Sequence, residues 1–166
     1  AGADPSRTHQ ALRKEATRLR RLVDDVLDFS RMERGQTTRI EREDVELGAF
    51  LDELAAEFGA RVEAAGRAFE FRRGELPASA NLDAHAVRRA LENLLDNALK
   101  HGAGAVRLGC AAADGHLCFT VADDGPGVPA AERERAFEPF ERLGATNGHV
   151  GGTGLGLAIV RAIARG

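Results

Sequence analysis

Apolar residues in the first part of the chain recur at alternating steps of four and three, the spacing of a heptad seam on an α-helix. Asp4 and Pro5 suit the start of this helix, and Gly35 suits its end. Further apolar residues widen the strip, as is typical of a helix in a four-helix bundle. The helix therefore needs a partner, either other helices or the flank of its own domain. The seam comprises Leu12, Ala16, Leu19, Val23, Val26 and Ser30, and the wider strip adds Leu22, Leu27 and Phe29.

The rest of the chain combines helical and strand periodicities. Apolar residues over Leu47–Val62 follow one face of a second helix, which is expected to end near Gly66, and Asp83 is placed to cap a third helix. The other predicted elements are a polar joint at 36–38, a brief strand around Arg39–Arg42, a strand over Ala68–Phe71, antiparallel strands over 106–110 and 117–121, and a final helix from about Leu155. Because helices and strands do not alternate strictly, we expect an α+β fold, a two-layer sandwich with a mixed sheet.

Composition and charge exclude several functions. The net charge of −3 over 166 residues gives no basic surface for nucleic acid. No apolar run reaches the roughly 18 residues of a membrane span, so we expect no membrane contact from this chain. A two-residue hairpin at Asp114-Gly115 would pair Cys110 with Phe119 and turn Cys118 to the opposite face. Reduced thiols and a cytoplasmic location are therefore expected.

The third helix carries an unusual polar row. Asn93, Asn97 and His101 follow one another at steps of four beside the apolar arc. Amide oxygens are hard ligands that suit Mg²⁺ bound to nucleotide phosphates. Lys100, beside the row, offers a mobile positive charge for phosphate oxygens. Taken alone, the row fits an ordinary polar flank as well as a ligand site.

Two glycine-rich segments follow the third helix. Asp123–Gly127 ends a strand, and its carboxylate can accept a hydrogen bond from an exocyclic amine such as that of adenine. A plain turn is the alternative interpretation of that segment. Gly151–Leu157 leads into a helix N-terminus, which presents free N–H groups to an anion, but it lacks the Lys-Ser/Thr pair of a Walker motif.

In this order and spacing, the segments resemble the catalytic domain of sensor histidine kinases. That domain belongs to the ATP-binding superfamily shared with gyrase, the ninety-kilodalton heat-shock chaperones and mismatch-repair ATPases. Asn93–His101 looks like its asparagine box, and Asp123–Gly127 and Gly152–Leu157 look like its two glycine boxes. Phe137–Phe140 looks like its phenylalanine box, and Leu22–Arg31 resembles the end of the second dimerisation helix. The resemblance covers nearly the whole chain.

The resemblance implies a role for each matching residue. Asn97 would hold Mg²⁺, Asn93 would contact the metal or the phosphates, and Lys100 would approach the phosphate chain, which makes Asn93 and Lys100 the expected catalytic residues. Asp123 would bind the adenine amine, and residues from about 129 to 150 would form a lid over the nucleotide. An amide at Asn93 cannot accept a proton from water, which favours transfer to an imidazole over hydrolysis. The expected ATP-binding set also includes His101, Gly125, Gly127, Phe137, Arg142, Gly152, Thr153, Gly154, Leu155, Gly156 and Leu157.

The implied function is transfer of the ATP γ-phosphate to a histidine and then to an aspartate of a response-regulator receiver domain. Residues 1–35 would be the second helix of the dimerisation hairpin in a homodimer, and 36–166 the catalytic domain. His9 lacks the Glu and Pro that follow the family's phosphorylated histidine, so no acceptor is expected in this chain. The family's domain usually continues into further strands, so a chain ending at Gly166 is expected to lack them.

Two alternative functions stay open at this point. One is a serine kinase of the anti-sigma-factor type, which shares the ATP site, although the long leading helix argues against it. The other is a nucleotide-binding regulatory module that dimerises through its helix and has no transfer activity.

Overall fold

The computed structural model of the chain describes residues 41–143 and 153–165, together with eight positions of the N-terminal helix. All eight positions are helical, as the heptad pattern predicts. The predicted ends of that helix at Asp4, Pro5 and Gly35 and the joint at 36–38 lie outside the described residues, as do Leu12, Leu22 and Phe29. The described helical positions are His9, Ala16, Leu19, Arg20, Val23, Val26, Leu27 and Ser30.

Five strands, three helices and two short 3₁₀ turns make up the two continuous described segments. The strands are β1 (Glu43–Glu46), β2 (Phe69–Arg73), β3 (Ser79–Leu82), β4 (Val106–Ala113) and β5 (His116–Asp123). The helices are α1 (Leu47–Ala64), α2 (Ala84–His101) and α3 (Gly156–Arg165), and the 3₁₀ turns are Ala130–Glu132 and Arg135–Phe137. The helices over 47–64 and 84–101 and the helix near 155 are thus confirmed.

The main sheet has the order β2-β4-β5 and is mixed. Strand β2 runs parallel to β4, with Phe69 opposite Val106, and β4 runs antiparallel to β5. Cys110 pairs with Phe119 as predicted, so Cys110 is buried while Cys118 is exposed, and both thiols are free. The expected α+β fold with a mixed sheet is confirmed.

Helices α1 and α2 cover one face of this sheet and form the core with it. The alternation of β4 directs Val106, Leu108 and Cys110 toward the helices, because successive strand side chains point to opposite faces. The buried residues contributed by the two helices are Leu47, Phe50, Leu51, Leu54, Phe58, Val62, Leu91, Leu95 and Ala98.

The strand predicted around Arg39–Arg42 was wrong over its last two residues, and Arg39 and Ile40 lie outside the described residues. Residues 41 and 42 lie outside any strand, and the strand in this region is β1, at Glu43–Glu46. Strand β1 pairs antiparallel with β3, which the sequence pattern did not indicate. Each strand is only four residues long, and Val45 is the only large apolar residue in β1, so their alternation gives little signal.

Candidate nucleotide site

Helix α2 places the predicted polar row along the edge of the core. Its start is fixed by Asp83, whose Oδ1 accepts a hydrogen bond 2.9 Å from the backbone N of Ala86. Asn93 and Asn97 are partly buried, whereas His101, one turn further along, is exposed. The row therefore runs from partly buried positions to solvent, as a site for a partly enclosed ligand requires.

The start of helix α3 lies directly against this row. A methyl group added at Gly156, the first residue of α3, would lie 3.3 Å from Asn93 Oδ1. The side chains of Leu155 and Ile159 are completely buried and anchor the start of α3. The asparagine row and the second glycine segment, about 60 residues apart in sequence, are thus neighbours in space.

Lys100 does not point along the asparagine row in this structure. Its ammonium nitrogen lies 3.7 Å from Asp96 Oδ2, and Asp96 also forms an ion pair with Arg61 of α1. Lys100 is 40% exposed, so its flexible side chain can leave Asp96 for a stronger anion. Its contact with phosphate stays a prediction.

The carboxylate of Asp123 is enclosed between two glycines from different segments. A methyl group at Gly102, which follows α2, would overlap the Asp123 carboxylate, and one at Gly125 would lie 2.5 Å from Asp123 Oδ1. Gly125 N donates a hydrogen bond of 2.7 Å to the same Oδ1. Asp123 Oδ2 accepts no hydrogen bond from the described residues. Since every fully buried side-chain polar atom in the described part of the chain has a partner, Oδ2 must be accessible to solvent. The free oxygen of Asp123 is therefore open to a donor from outside the protein.

The loop between α2 and β4 is held by contacts that the sequence did not reveal. Asp124 Oδ2 accepts a hydrogen bond of 2.9 Å from Ala105 N, and Arg107 Nη1 donates to Asp124 Oδ1 at 2.7 Å. The hydrogen bond from Arg107 and that from Ala105 lower the pKa of Asp124 below its ordinary value. On the other side of the loop, Arg67 donates to three backbone carbonyl groups. No motif includes Arg67 or Arg107, because their roles depend on tertiary contacts.

The phenylalanine segment packs beside α3. The guanidinium carbon of Arg161 lies 6.0 Å from the centroid of the Phe137 ring. Phe140 has a left-handed backbone (φ 64°), and its N donates to Gly154 O at 2.9 Å, which joins the middle of the predicted lid to the second glycine segment. Arg142 is exposed. The rest of the lid, over 144–150, and Gly152 lie outside the described residues.

Comparison with known proteins agrees with this arrangement. The family described as histidine kinase-, DNA gyrase B- and HSP90-like ATPase matches residues 82–166, which contain every predicted nucleotide-binding residue. The chain belongs to this family. The match includes both glycine segments and α2. Strands β1 and β2 and helix α1 precede the matched residues, and they contribute to the core against which α2 packs.

Individual relatives are sensor kinases. The chain is 34% identical to the sensor histidine kinase CpxA of Escherichia coli K12, covering 93% of this chain and 34% of CpxA. It is 31% identical to the alginate biosynthesis sensor protein KinB of Pseudomonas aeruginosa, covering 93% of this chain and 26% of KinB. The crystal structure of full-length ShkA in complex with AMPPNP matches with a TM-score of 0.81 at 33% identity, covering 99% of this chain and 34% of ShkA. This chain thus spans about a third or less of each of these proteins.

Two features are absent from the described part of the chain. None of its helices is both long and apolar enough to cross a membrane. Its histidine, cysteine and acidic side chains form no cluster of three or more that could hold a metal ion.

Proposed function

We propose that this chain is the ATP-binding catalytic region of a sensor histidine kinase and that it transfers the ATP γ-phosphate to a histidine. In this proposal, residues 36–166 are the catalytic domain and residues 1–35 are the second helix of the dimerisation hairpin. The observation that supports it best is the half-buried carboxylate of Asp123, which has one oxygen free and lies against Gly102, at the end of the helix that carries the asparagine row.

The base end of the nucleotide would be read by Asp123. The exocyclic amine of adenine can donate to its free Oδ2, whereas guanine presents a carbonyl oxygen there and leaves the carboxylate without a donor. A buried polar group left unmatched costs about 1–3 kcal/mol, which corresponds to roughly five- to 150-fold in affinity. The chain should therefore prefer ATP to GTP. ShkA, which was crystallised with the adenine nucleotide AMPPNP, supports this choice.

The phosphate end would lie between α2 and the start of α3. Asn97, with Asn93 beside it, provides amide oxygens that fit Mg²⁺, which usually keeps water and phosphate as its other ligands. When bound, Mg²⁺ neutralises charge on the phosphates. Gly154 and Gly156 would offer backbone N–H groups at the helix start, next to Thr153, and Lys100 would leave Asp96 to meet the phosphates. The remaining proposed contacts are His101, Gly125, Gly127, Phe137, Arg142, Gly152, Leu155 and Leu157.

Phosphoryl transfer, rather than hydrolysis, is favoured by the chemistry of Asn93. An amide cannot remove a proton from an attacking water, so a neutral imidazole that is already nucleophilic is the better acceptor. The acceptor would belong to the other helix of the hairpin, because His9 has the wrong flanking residues. A receiver-domain aspartate would then take the phosphoryl group.

A phosphotransfer assay tests this proposal. The chain would be mixed with Mg²⁺ and γ-labelled ATP, alone and with a separate helical hairpin that carries a histidine followed by Glu and Pro. We expect acid-labile label on the hairpin only, with GTP much less effective and Asn97→Ala inactive. Acid-stable label on serine would favour the anti-sigma-factor type of kinase, and nucleotide binding with no label would favour a regulatory module. Label on His9 would place the acceptor in this chain and contradict the proposal.

A further inference from the structure

Arg67 forms an unusual contact at the C-terminal end of α2. Its guanidinium donates to Ala98 O at 2.5 Å, to Ala103 O at 2.6 Å and to Gly104 O at 2.7 Å. The planar fork of an arginine can satisfy several acceptors at once, and its charge suits the negative end of a helix. Arg67 lies between α1 and β2, far from every nucleotide-binding motif in sequence.

The opposite side of the same loop is joined to β5. Asp124 N donates to Ala103 O at 2.9 Å, and Asp124 Oδ2 accepts from Ala105 N at 2.9 Å. A methyl group at Gly104 would lie 2.5 Å from Asp124 Oδ2, so the loop and the strand end touch closely. The loop is therefore held between Arg67 on one side and Asp124 on the other.

Gly102 transmits the position of this loop to Asp123. A methyl group on its Cα would overlap the Asp123 carboxylate, and the Cα itself would lie 2.8 Å from a methyl group at Gly125. There is no spare room at this contact, so a displacement of the loop must displace Asp123 or open a gap beside it.

We propose that Arg67 is a positioning residue for recognition of the nucleotide base. By fixing the carbonyl groups of 98, 103 and 104, it holds Gly102 against Asp123 and so keeps the free Oδ2 where an amine can reach it. This inference rests on the proposed function, in which Asp123 binds adenine. A purely structural role, as a cap on α2, would change stability and leave base selectivity unchanged.

The test compares ATP and GTP affinity by titration calorimetry in the full chain, with thermal unfolding measured alongside. Arg67→Met removes all three hydrogen bonds, and Arg67→Lys retains the charge and part of the bonding. We expect Arg67→Met to lower the ATP:GTP affinity ratio by about fivefold or more, mainly through weaker ATP binding, and Arg67→Lys to fall in between.

The matched control is Arg88→Met, since Arg88 pairs with Glu53 and Glu57 near the other end of α2, roughly 20 Å from His101 along the helix axis. It should lower stability and leave the ATP:GTP ratio unchanged. If Arg67→Met does not fold, Arg67→Lys decides. A folded Arg67 variant with the wild-type ratio would overturn the positioning role. A wild-type chain that binds neither nucleotide, or both equally, would instead overturn the proposed function and this inference with it.

Discussion

At the scale of single residues, the Asp123–Gly127 motif depends on Gly102, a residue outside the motif. The sequence indicates that the glycines of Asp123–Gly127 let a ligand approach the backbone closely. In the structure, a side chain at Gly125 would collide with the Asp123 carboxylate, so glycine is needed there. The sequence gives no sign of this role for Gly102, because a glycine after a helix is sufficiently explained as a helix end. Its backbone lies in an ordinary extended region (φ −83°, ψ 178°), so the need for glycine there is steric.

Gly102→Ala should therefore lower the affinity for ATP strongly, although it adds only one methyl group. The added methyl group would overlap the Asp123 carboxylate and force it to move. We expect ATP affinity to fall at least tenfold, about 1.4 kcal/mol, in calorimetric titration. Gly115→Ala is the control: it introduces backbone strain at the distant hairpin turn (φ 76°) with no atom within 4 Å of the new methyl group. Equal ATP affinity in Gly102→Ala and wild type would contradict the assignment of Asp123 to the site.

At the scale of elements, the sequence predicted what periodicity encodes. Helices α1 and α2 and strands β4 and β5 were predicted well, because each has a long apolar face that repeats at 3.6 or 2 residues. Strands β1 and β3 left little trace, being four residues long. The contacts of Arg67 with backbone carbonyl groups and of Arg107 with Asp124 could not be predicted, because the partners are 17 or more residues apart and meet only after the sheet has formed.

The pair of Asp124 and Arg107 links β5 to β4 and should make stability depend on pH. Because hydrogen bonds from Arg107 and Ala105 lower the pKa of Asp124 below 3.8, the folded state binds its proton more weakly than the unfolded chain does. The stabilisation is complete well above pH 3.8 and is lost as the pH falls through the lower folded pKa. In urea unfolding, Asp124→Asn should be less stable than wild type at pH 7, and the difference should shrink toward pH 3.

The partner of Asp124 provides the control for this measurement. In an Arg107→Met background, the Asp124→Asn substitution should cost less at pH 7, because the largest contributor to the lowered pKa has been removed. A stability difference between wild type and Asp124→Asn that stays constant from pH 7 to pH 3 would show that the ion pair does not stabilise the fold.

At the scale of the whole molecule, the N-terminal helix leaves an apolar surface uncovered. Leu19, Val23 and Val26, spaced by four and three, are 61%, 52% and 43% exposed, and Leu27 beside them is 49% exposed. Full burial of a side chain of this type gives about 1.5–3 kcal/mol. The proposed homodimer, in which this seam packs into a helix bundle, would cover all four.

Val23→Glu should therefore separate the subunits. Sedimentation velocity over a range of concentrations should show wild type as a dimer and Val23→Glu as a monomer, since an unpaired carboxylate in the seam loses its hydration. Val128→Glu places the same charge at an exposed apolar residue of the catalytic part and should remain a dimer. A wild-type chain that is monomeric throughout the range would refute dimerisation through this helix.

The parallel pairing of β2 with β4 has a consequence for synthesis of the chain. Parallel strands need a long crossover, and here 32 residues, including β3 and α2, lie between the end of β2 at Arg73 and the start of β4 at Val106. Contacts between residues so distant in sequence form slowly. The proposed nucleotide site also requires Asp123 at the end of β5 and the start of α3 at Gly156. During translation, no adenine nucleotide can find a complete site until α3 has left the ribosome. In the proposed function, nucleotide binding should thus come only after α3 has packed against α2, and a nascent chain without α3 should not compete for cellular ATP.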